Sequence, residues 1–397
     1  MLQKATHERT KIHNKNLILK IIYDQPEVSR ADIARITYLT PPTVSTTVAE
    51  LIEEGLVEEV GQGPSAGGKP PTLLRVVDDS RHLIGIDLAN SEFRGAIINL
   101  RGQIIHHASV PVKASSDGQA ALELVYKLSD RLMAAATRPL LGIGVGTPGL
   151  IDAQRGIVRK AVNLDWQDLP LRDLLETRYN LPVFMANDSH VAAVAEYVFG
   201  QGRKTPNLII LKVGRGVSAG IVLNGRLHYG DGSGAGEIGH VRVVEQGALC
   251  SCGHYGCLET VTSSRFIMER ARVIAQTNPH ALLHQFAASP EAITTDVVIQ
   301  AFEAGDAEVQ QVIADVGHYL GMAVANLVGA LNIQSILIGG SMARFGEPLL
   351  EPIRQEMKQR AMAMLADETQ VSLSRLGQDI VILGAAALLL THELSLV

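Results

Sequence analysis

The segment from Glu237 to Glu259 limits what this chain can be more than any other. It holds all three cysteines of the 397-residue protein, Cys250, Cys252 and Cys257, with His240 upstream. Three thiolates and one imidazole are the ligand set of a closed tetrahedral zinc site. Gly253 and Gly256 give a short loop the backbone freedom to fold around an ion. Two plainer readings compete: apolar thiols buried in a core, and a disulfide. Clustering within eight positions argues against the first, and an odd cysteine count leaves a disulfide with one thiol over. Four protein ligands leave no open coordination position, so the expected task of the zinc is structural, to pin a loop.

The length suggests two or three domains with ample material for cores. A formal charge of −6 argues against a protein that coats nucleic acid indiscriminately, while leaving room for a local basic surface. No apolar signal segment opens the sequence and no window approaches a membrane-spanning run. Reduced thiols in a metal site fit a reducing compartment. The expectation is a soluble cytoplasmic protein with no membrane partner.

Residues 1–78 read as one unit. Asn14 to Tyr23 places Leu17, Ile18, Ile21 and Ile22 at helical core spacing. Ser29 can cap a second helix, with Asp32 at the capping-box position. Thr40 caps a third, with Pro41 at its first position and Val44, Val48, Leu51 and Ile52 on one face, ending at Gly55. Two alternating stretches, Leu56 to Val60 and Thr72 to Val77, follow around a proline- and glycine-rich bridge, which also reads as the linker to the rest of the chain. Helix, helix-turn-helix and β-hairpin make a winged helix-turn-helix. On the third helix Thr43, Ser45, Thr46 and Thr47 are short hydroxyl residues suited to phosphates and base edges of double-stranded operator DNA. Lys69, in the bridge, can reach a phosphate or the minor groove. Basic residues gather at Arg9, Lys11, Lys15, Lys20, Arg30 and Arg35, and acids at Glu50, Glu53, Glu54, Glu58 and Glu59. The competing reading is a small protein-interaction domain.

From Leu83 onward strands and helices alternate. Leu83–Leu88, Gly95–Leu100 and Ile104–Val110 form a meander, followed by a helix over Gly118–Ala136 and strands Leu141–Gly146 and Pro182–Ala186. A second round opens with Leu208–Val213, Val217–Leu223 and a short strand near Arg226–Tyr229, and reaches Ser335–Ile338. Two successive three-strand meanders with βα units indicate a duplicated α/β body with a cleft between its lobes. The first lobe is expected over 79–200 and the second over 201–397, with the C-terminal helix returning to the first.

These features together resemble the ROK family of repressors and sugar kinases. The resemblance is carried by Glu237-Ile-Gly-His240, by Cys250 to Glu259, by Gly146-Thr-Pro-Gly149 and by Asn187-Asp188. It implies an actin-like, hexokinase-type ATPase fold, and the added winged helix is similar to the branch of xylose and N-acetylglucosamine repressors. It implies that Asn187, Asp188, Glu237 and Glu259 contact sugar hydroxyls, with His240 both ligating zinc and bordering the sugar. Carboxylates and an amide supply the hydrogen bonds a polyol needs. Plainer roles exist: Asp188 could cap the helix that begins at Ser189, and the two glutamates could be solvated loop acids.

A kinase of this family would carry Asp-x-Gly-Gly-Thr after the first strand, where backbone N–H groups approach phosphates. This chain has Asp87-Leu-Ala-Asn-Ser-Glu92 instead. Arg215 replaces a small hydroxyl residue in Gly214-Arg-Gly216, and Gly339-Gly340-Ser341 retains only the adenosine-side turn. Asp188, the general base of such a kinase, is then vestigial. The resulting expectation is a sugar-responsive repressor working as a homodimer or homotetramer, with the helices over 306–331 and 347–365 as self-association surfaces. The alternative is an ATP-dependent sugar kinase carrying a DNA-binding head.

Overall fold

The computed structural model describes residues 7–25, 27–64, 70–88, 92–112, 117–203 and 205–396. In the head, the first helix spans His7–Asp24, longer than its apolar stripe because its opening turns are polar and exposed. Helix Arg30–Thr37 starts at a complete capping box between Ser29 and Asp32. Helix Pro41–Glu53 starts where the Thr40 side chain accepts the Thr43 N–H. Ile18, Ile22, Ile33, Val44, Val48, Leu51 and Leu74 close the head's core. Strand Thr72–Val76 pairs antiparallel with Val57–Gln62, and on its other edge with Val28–Ser29. That two-residue strand has too little sequence to announce itself.

The bridge after Gln62 is therefore the hairpin loop alone, not the linker to the body. Its residues 65–69, including Lys69, lie outside the described residues. The connection to the body is the short run Val77–Arg81 between strand Thr72–Val76 and strand His82–Asp87.

The body repeats one topology twice. In the first lobe, strands His82–Asp87, Glu92–Asn99 and Ile104–Pro111 form a meander, and Leu140–Thr147 and Val183–Asn187 add in parallel to its first strand. In the second, Leu208–Val213, Val217–Leu223 and Arg226–Leu227 are followed by Ser335–Gly339 and Gln370–Leu373 on the equivalent edge. Both five-stranded sheets have the spatial order third, second, first, fourth, fifth. A small extra sheet of Leu150–Asp152, Ile157–Ala161 and Trp166–Leu169 extends the first lobe over the cleft. These strands are too short for alternation to announce them.

Helix Ile380–His392 lies on the first lobe's sheet, as its apolar character all round requires. Contact is close enough that a Cβ at Gly144 would sit 1.9 Å from the Ala385 carbonyl oxygen. The same helix crosses Asp188–Val198 at Gly384, where a Cβ would meet the Val191 carbonyl at 1.8 Å. The expected helix over 347–365 is two helices, Glu347–Arg360 and Ala363–Glu368, because Ala361 and Met362 adopt extended backbone. One expectation needs correcting: Ala307–Leu331, with 25 residues and mean hydropathy 1.3 in its most apolar window, is long and apolar enough to cross a membrane. In this fold 61% of that window is buried, packed largely against Glu347–Arg360.

Head and first lobe are joined by specific bonds. The Tyr23 hydroxyl donates to the Leu100 carbonyl at 2.8 Å, and Arg101 donates to the Tyr23 carbonyl at 2.7 Å while lying 4.2 Å over its ring. Asn16 donates to the Ser395 hydroxyl at 2.9 Å and Lys20 to the Leu396 carbonyl at 3.0 Å.

Candidate functional site

A cavity of about 440 Å³ opens between the lobes. It brings together Asn187, Asp188, Glu237, His240 and Glu259, which are spread over more than seventy positions of sequence. Asn187 ends strand Val183–Asn187 and caps helix Asp188–Val198. Its side-chain oxygen accepts the Ser189 N–H at 2.9 Å and the Ser189 hydroxyl at 2.7 Å, and its amide donates to the Gly149 carbonyl at 2.8 Å. The capping role weighed for Asp188 thus belongs to Asn187. Asp188 instead accepts from Lys212 Nζ at 2.7 Å, with both side chains only 12% exposed. Burial alone would pull the Lys212 pKa down, but the carboxylates of Asp188 and Asp87 outweigh it and raise the pKa above the ordinary lysine value.

Glu237 is set by local sterics. Gly236 adopts φ +91°, and a Cβ there would lie 1.8 Å from the Ala219 carbonyl oxygen. Burial first, then the nearby carboxylates of Asp188 and Glu259, push the Glu237 carboxyl up to about 7. Glu259 starts helix Glu259–Thr262 and turns back to accept the Val217 N–H at 3.1 Å, against the glycine turn. The Ser264 N–H donates to the Gly214 carbonyl at 2.7 Å, so the segment after the cysteine loop is stitched to that same turn.

The four expected metal ligands converge. One ligand atom each from His240, Cys250, Cys252 and Cys257 lies within 4.8 Å of the others. The Cys250 sulfur is 3.4 Å from His240 Nδ1, and the Cys252 and Cys257 sulfurs are 3.6 Å apart. Ligands about 2.3 Å from a tetrahedral ion are about 3.7 Å from each other, so the sulfur spacing fits a metal centre. Gly253 and Gly256 have φ of +91° and +72°, as a loop closing on itself requires. Burial, then the neighbouring thiols, push Cys257 up to about 12, an opposition a divalent cation would reverse.

This bilobal body with its cysteine loop has a known counterpart: the model of the ROK family matches residues 83–392. The chain belongs to the ROK family. The MarR family model matches residues 17–65 of the head. The chain is 35% identical to a xylose repressor of Caldicellulosiruptor bescii over 98% of both chains. It is also 34% identical to a glucokinase of Halalkalibacterium halodurans, covering 80% of this chain and 97% of that one. Among solved structures, a ROK family transcriptional regulator described as a homolog of the E. coli MLC protein superposes with a TM-score of 0.84, at 26% identity and covering 98% of each chain.

Within this ROK protein the sequence reading missed two cleft side chains, Lys212 and Arg265, and took Arg215 only as a departure from the kinase turn. Lys212 sits mid-strand in an apolar run, where a lone lysine reads as an edge residue and its partner 24 positions away is invisible. In the glycine turn, Gly340 at φ +85° packs against the end of strand Leu208–Val213, where a Cβ would lie 2.4 Å from the Val213 carbonyl. The first phosphate-loop position is partly hidden, since 89–91 lie outside the described residues; Glu92 accepts from the Ser109 hydroxyl at 2.5 Å.

On the third head helix Ser45 and Thr46 are exposed and Thr43 is half-buried, its hydroxyl 2.9 Å from that of Thr40. Thr47 is a correction: it is 6% exposed. It falls three residues after Val44 and one before Val48, on the apolar stripe, so it faces the core. Tyr38, in the turn before this helix, is 94% exposed at φ 58° and was overlooked. The basic residues pair with the head's own acids: Lys11 with Glu50, Lys15 with Glu54 and Arg30 with Glu59.

Proposed function

We propose that this chain is a sugar-responsive transcriptional repressor whose kinase-like body senses a carbohydrate and transfers no phosphate. The observation that carries the reading is the Lys212–Asp188 pair. A general base must have a free carboxylate oxygen for the substrate hydroxyl. Here the Lys212 ammonium donates to one oxygen of that carboxylate within the cleft, so Asp188 is already engaged in an ion pair rather than free to serve a substrate hydroxyl. The replacement of glycines after Asp87 and the carboxylate of Glu259 on the Val217 N–H weaken phosphate binding further.

Asn187, Asp188, Glu237, His240 and Glu259 would hold sugar hydroxyls, a set that also rejects analogues missing one, because a buried acceptor then loses its partner. His240, Cys250, Cys252 and Cys257 would hold zinc. The ion would supply rigidity, fixing the loop from which His240 and Glu259 reach the sugar. Thr43, Ser45, Thr46 and Tyr38 would face operator DNA, with Lys69 reaching from the wing; the surface ion pairs of the head are weak enough to open toward phosphates. Sugar binding would close the lobes, and the head, bonded to the first lobe through Tyr23 and Arg101, would turn with it. In a homodimer that motion changes half-site spacing and releases the operator. Met362 and Met364, 65% and 69% exposed where the helix after Glu347 breaks, supply apolar surface for such self-association.

The competing reading, an ATP-dependent sugar kinase with a DNA-binding head, is favoured by the glucokinase likeness. Gel shift on the chain's own upstream region and a coupled ATP-consumption assay, both with xylose and glucose, separate the two. Sugar-released DNA without ATP turnover is the expected outcome. Brisk sugar-dependent turnover abolished by Asp188→Asn would overturn it.

A further inference from the structure

We infer that Phe199 and Arg101 are the positioning residues through which the cleft acts on the DNA-binding head, with helix Asp188–Val198 as the rod between cleft and Phe199. The inference rests on the sugar-sensing reading above and adds how occupancy of that site is passed on. The head needs such a connection. Its bonds through Tyr23 go to the first lobe, at the Leu100 carbonyl and Arg101. Closure of the second lobe changes the head's orientation only if that motion reaches the same turn.

The helix is bonded to the second lobe at both ends. At the cleft, Lys212 of strand Leu208–Val213 donates to Asp188 at 2.7 Å. At the far end, buried Glu196 accepts from the hydroxyl of Ser374, which follows strand Gln370–Leu373, and from the Gln201 N–H at 3.0 Å. Close to the cleft, a Cβ on Gly220 of strand Val217–Leu223 would lie 2.1 Å from the Ser189 carbonyl oxygen, which leaves helix and sheet no room to slide. Every residue of the helix except Tyr197 is buried. Its 11 residues span about 16 Å and move as one body.

Phe199 caps that rod and meets the first lobe's outer turn. A Cβ at Gly102 would lie 2.8 Å from the Phe199 ring, and Gly102 holds φ +81°, where any other residue is strained. The turn is stiff, because the Asn99 side-chain oxygen accepts the N–H groups of Arg101 and Gln103, each at 3.0 Å. From this turn Arg101 clasps the Tyr23 carbonyl at 2.7 Å and Asp78, in the connection between head and body, at 2.9 Å. A tilt of the helix therefore displaces both grips on the head together. Packed contacts of this kind pass small shifts on rather than absorb them. The bonds of Asn16 and Lys20 to Ser395 and Leu396 follow helix Ile380–His392 on the first lobe, so they hold the head without reporting on the second.

Fluorescence anisotropy on the full-length protein, with the chain's own upstream DNA, gives operator affinity with and without saturating xylose or glucose. Calorimetry gives the sugar affinity of the free protein. The ratio of the two operator Kd values is the coupling, about 5- to 150-fold in a responsive protein. Phe199→Ala and Arg101→Gln should each bring it below about threefold while sugar affinity stays within about twofold of wild type. Phe199→Leu keeps an apolar contact with Gly102 and should restore most of the ratio; it also covers the case in which alanine unsettles the fold. Asn16→Ala should leave the ratio unchanged. A ratio intact in both Phe199→Ala and Arg101→Gln, a ratio lost in Asn16→Ala, or sugar affinity falling in step with the ratio would each overturn the inference. Wild type that ignores both sugars would end the sensing reading on which the inference stands, and is seen before any variant is made.

Discussion

Replacing Lys212 by methionine is the perturbation with the largest calculable consequence. At 2.7 Å and an effective dielectric of about 20, the Lys212–Asp188 attraction is about 6 kcal/mol before desolvation. Most of that offsets the cost of taking two charges out of water, so the pair's net contribution is small. Removing one member is different. Lys212→Met would leave Asp188, 9% exposed, and Asp87, 1% exposed, as neighbouring carboxylates without the cation they share. An uncompensated charge of this kind costs about 3–5 kcal/mol. For a body of this size that corresponds to a drop of about 5–8 °C in melting temperature. Thermal melts of wild type, Lys212→Met, Asp188→Asn and the double variant form a cycle. The double variant should recover most of the loss, because a neutral amide and a thioether can share the space. A Lys212→Met protein melting within about 2 °C of wild type, or a double variant worse than either single one, would refute the reasoning.

The same pair fixes a pH dependence. The native Lys212 pKa is raised above 10.5, so its stabilisation is fully present below 10.5 and fades as pH rises through the native value. The stability gap between wild type and Lys212→Met should narrow in strong alkali, where wild type loses the ammonium, and also toward acid, where the buried carboxylates of the variant take up protons; a gap of the same size at every pH would contradict the assignment. Cys257→Ser should abolish bound metal in elemental analysis and weaken sugar affinity about tenfold or more through the loosened loop, whereas a full metal complement would count against the four-ligand centre. Thr46→Ala should reduce operator affinity about fivefold with unchanged melting temperature, while Thr47→Ala, beneath it, should lower melting temperature instead. The reverse pattern in gel shift and melting would invert the assigned faces of the helix.

The parts of the fold legible in the sequence were those with a strong local signal. The capping box at Ser29 and Asp32, the strands Leu208–Val213 and Val217–Leu223, and the duplicated meander all follow from residue periodicity and turn chemistry. The extra sheet around Ile157–Ala161 escaped because its strands are too short to establish an alternating pattern. In the cleft, residues that advertise their chemistry by type, the cysteines and His240 above all, could be named in advance. Lys212 and Arg265 could not, since their meaning lies in which groups stand across from them, a property of tertiary structure. Thr47 was misplaced for the opposite reason: a hydroxyl was judged by its polarity when its position on the helix had already assigned it to the interior.

The last helix, Ile380–His392, carries one more consequence. It fills the face of a sheet whose strands were laid down nearly three hundred residues earlier, and the residues just beyond it grip the first helix of the head. During translation the first lobe must wait, its apolar face uncovered, until Ile380–His392 has emerged from the ribosome. A stop codon ahead of Ile380 would thus strip the first lobe of its cover, and the head would lose the contacts of Asn16 and Lys20 in the same event.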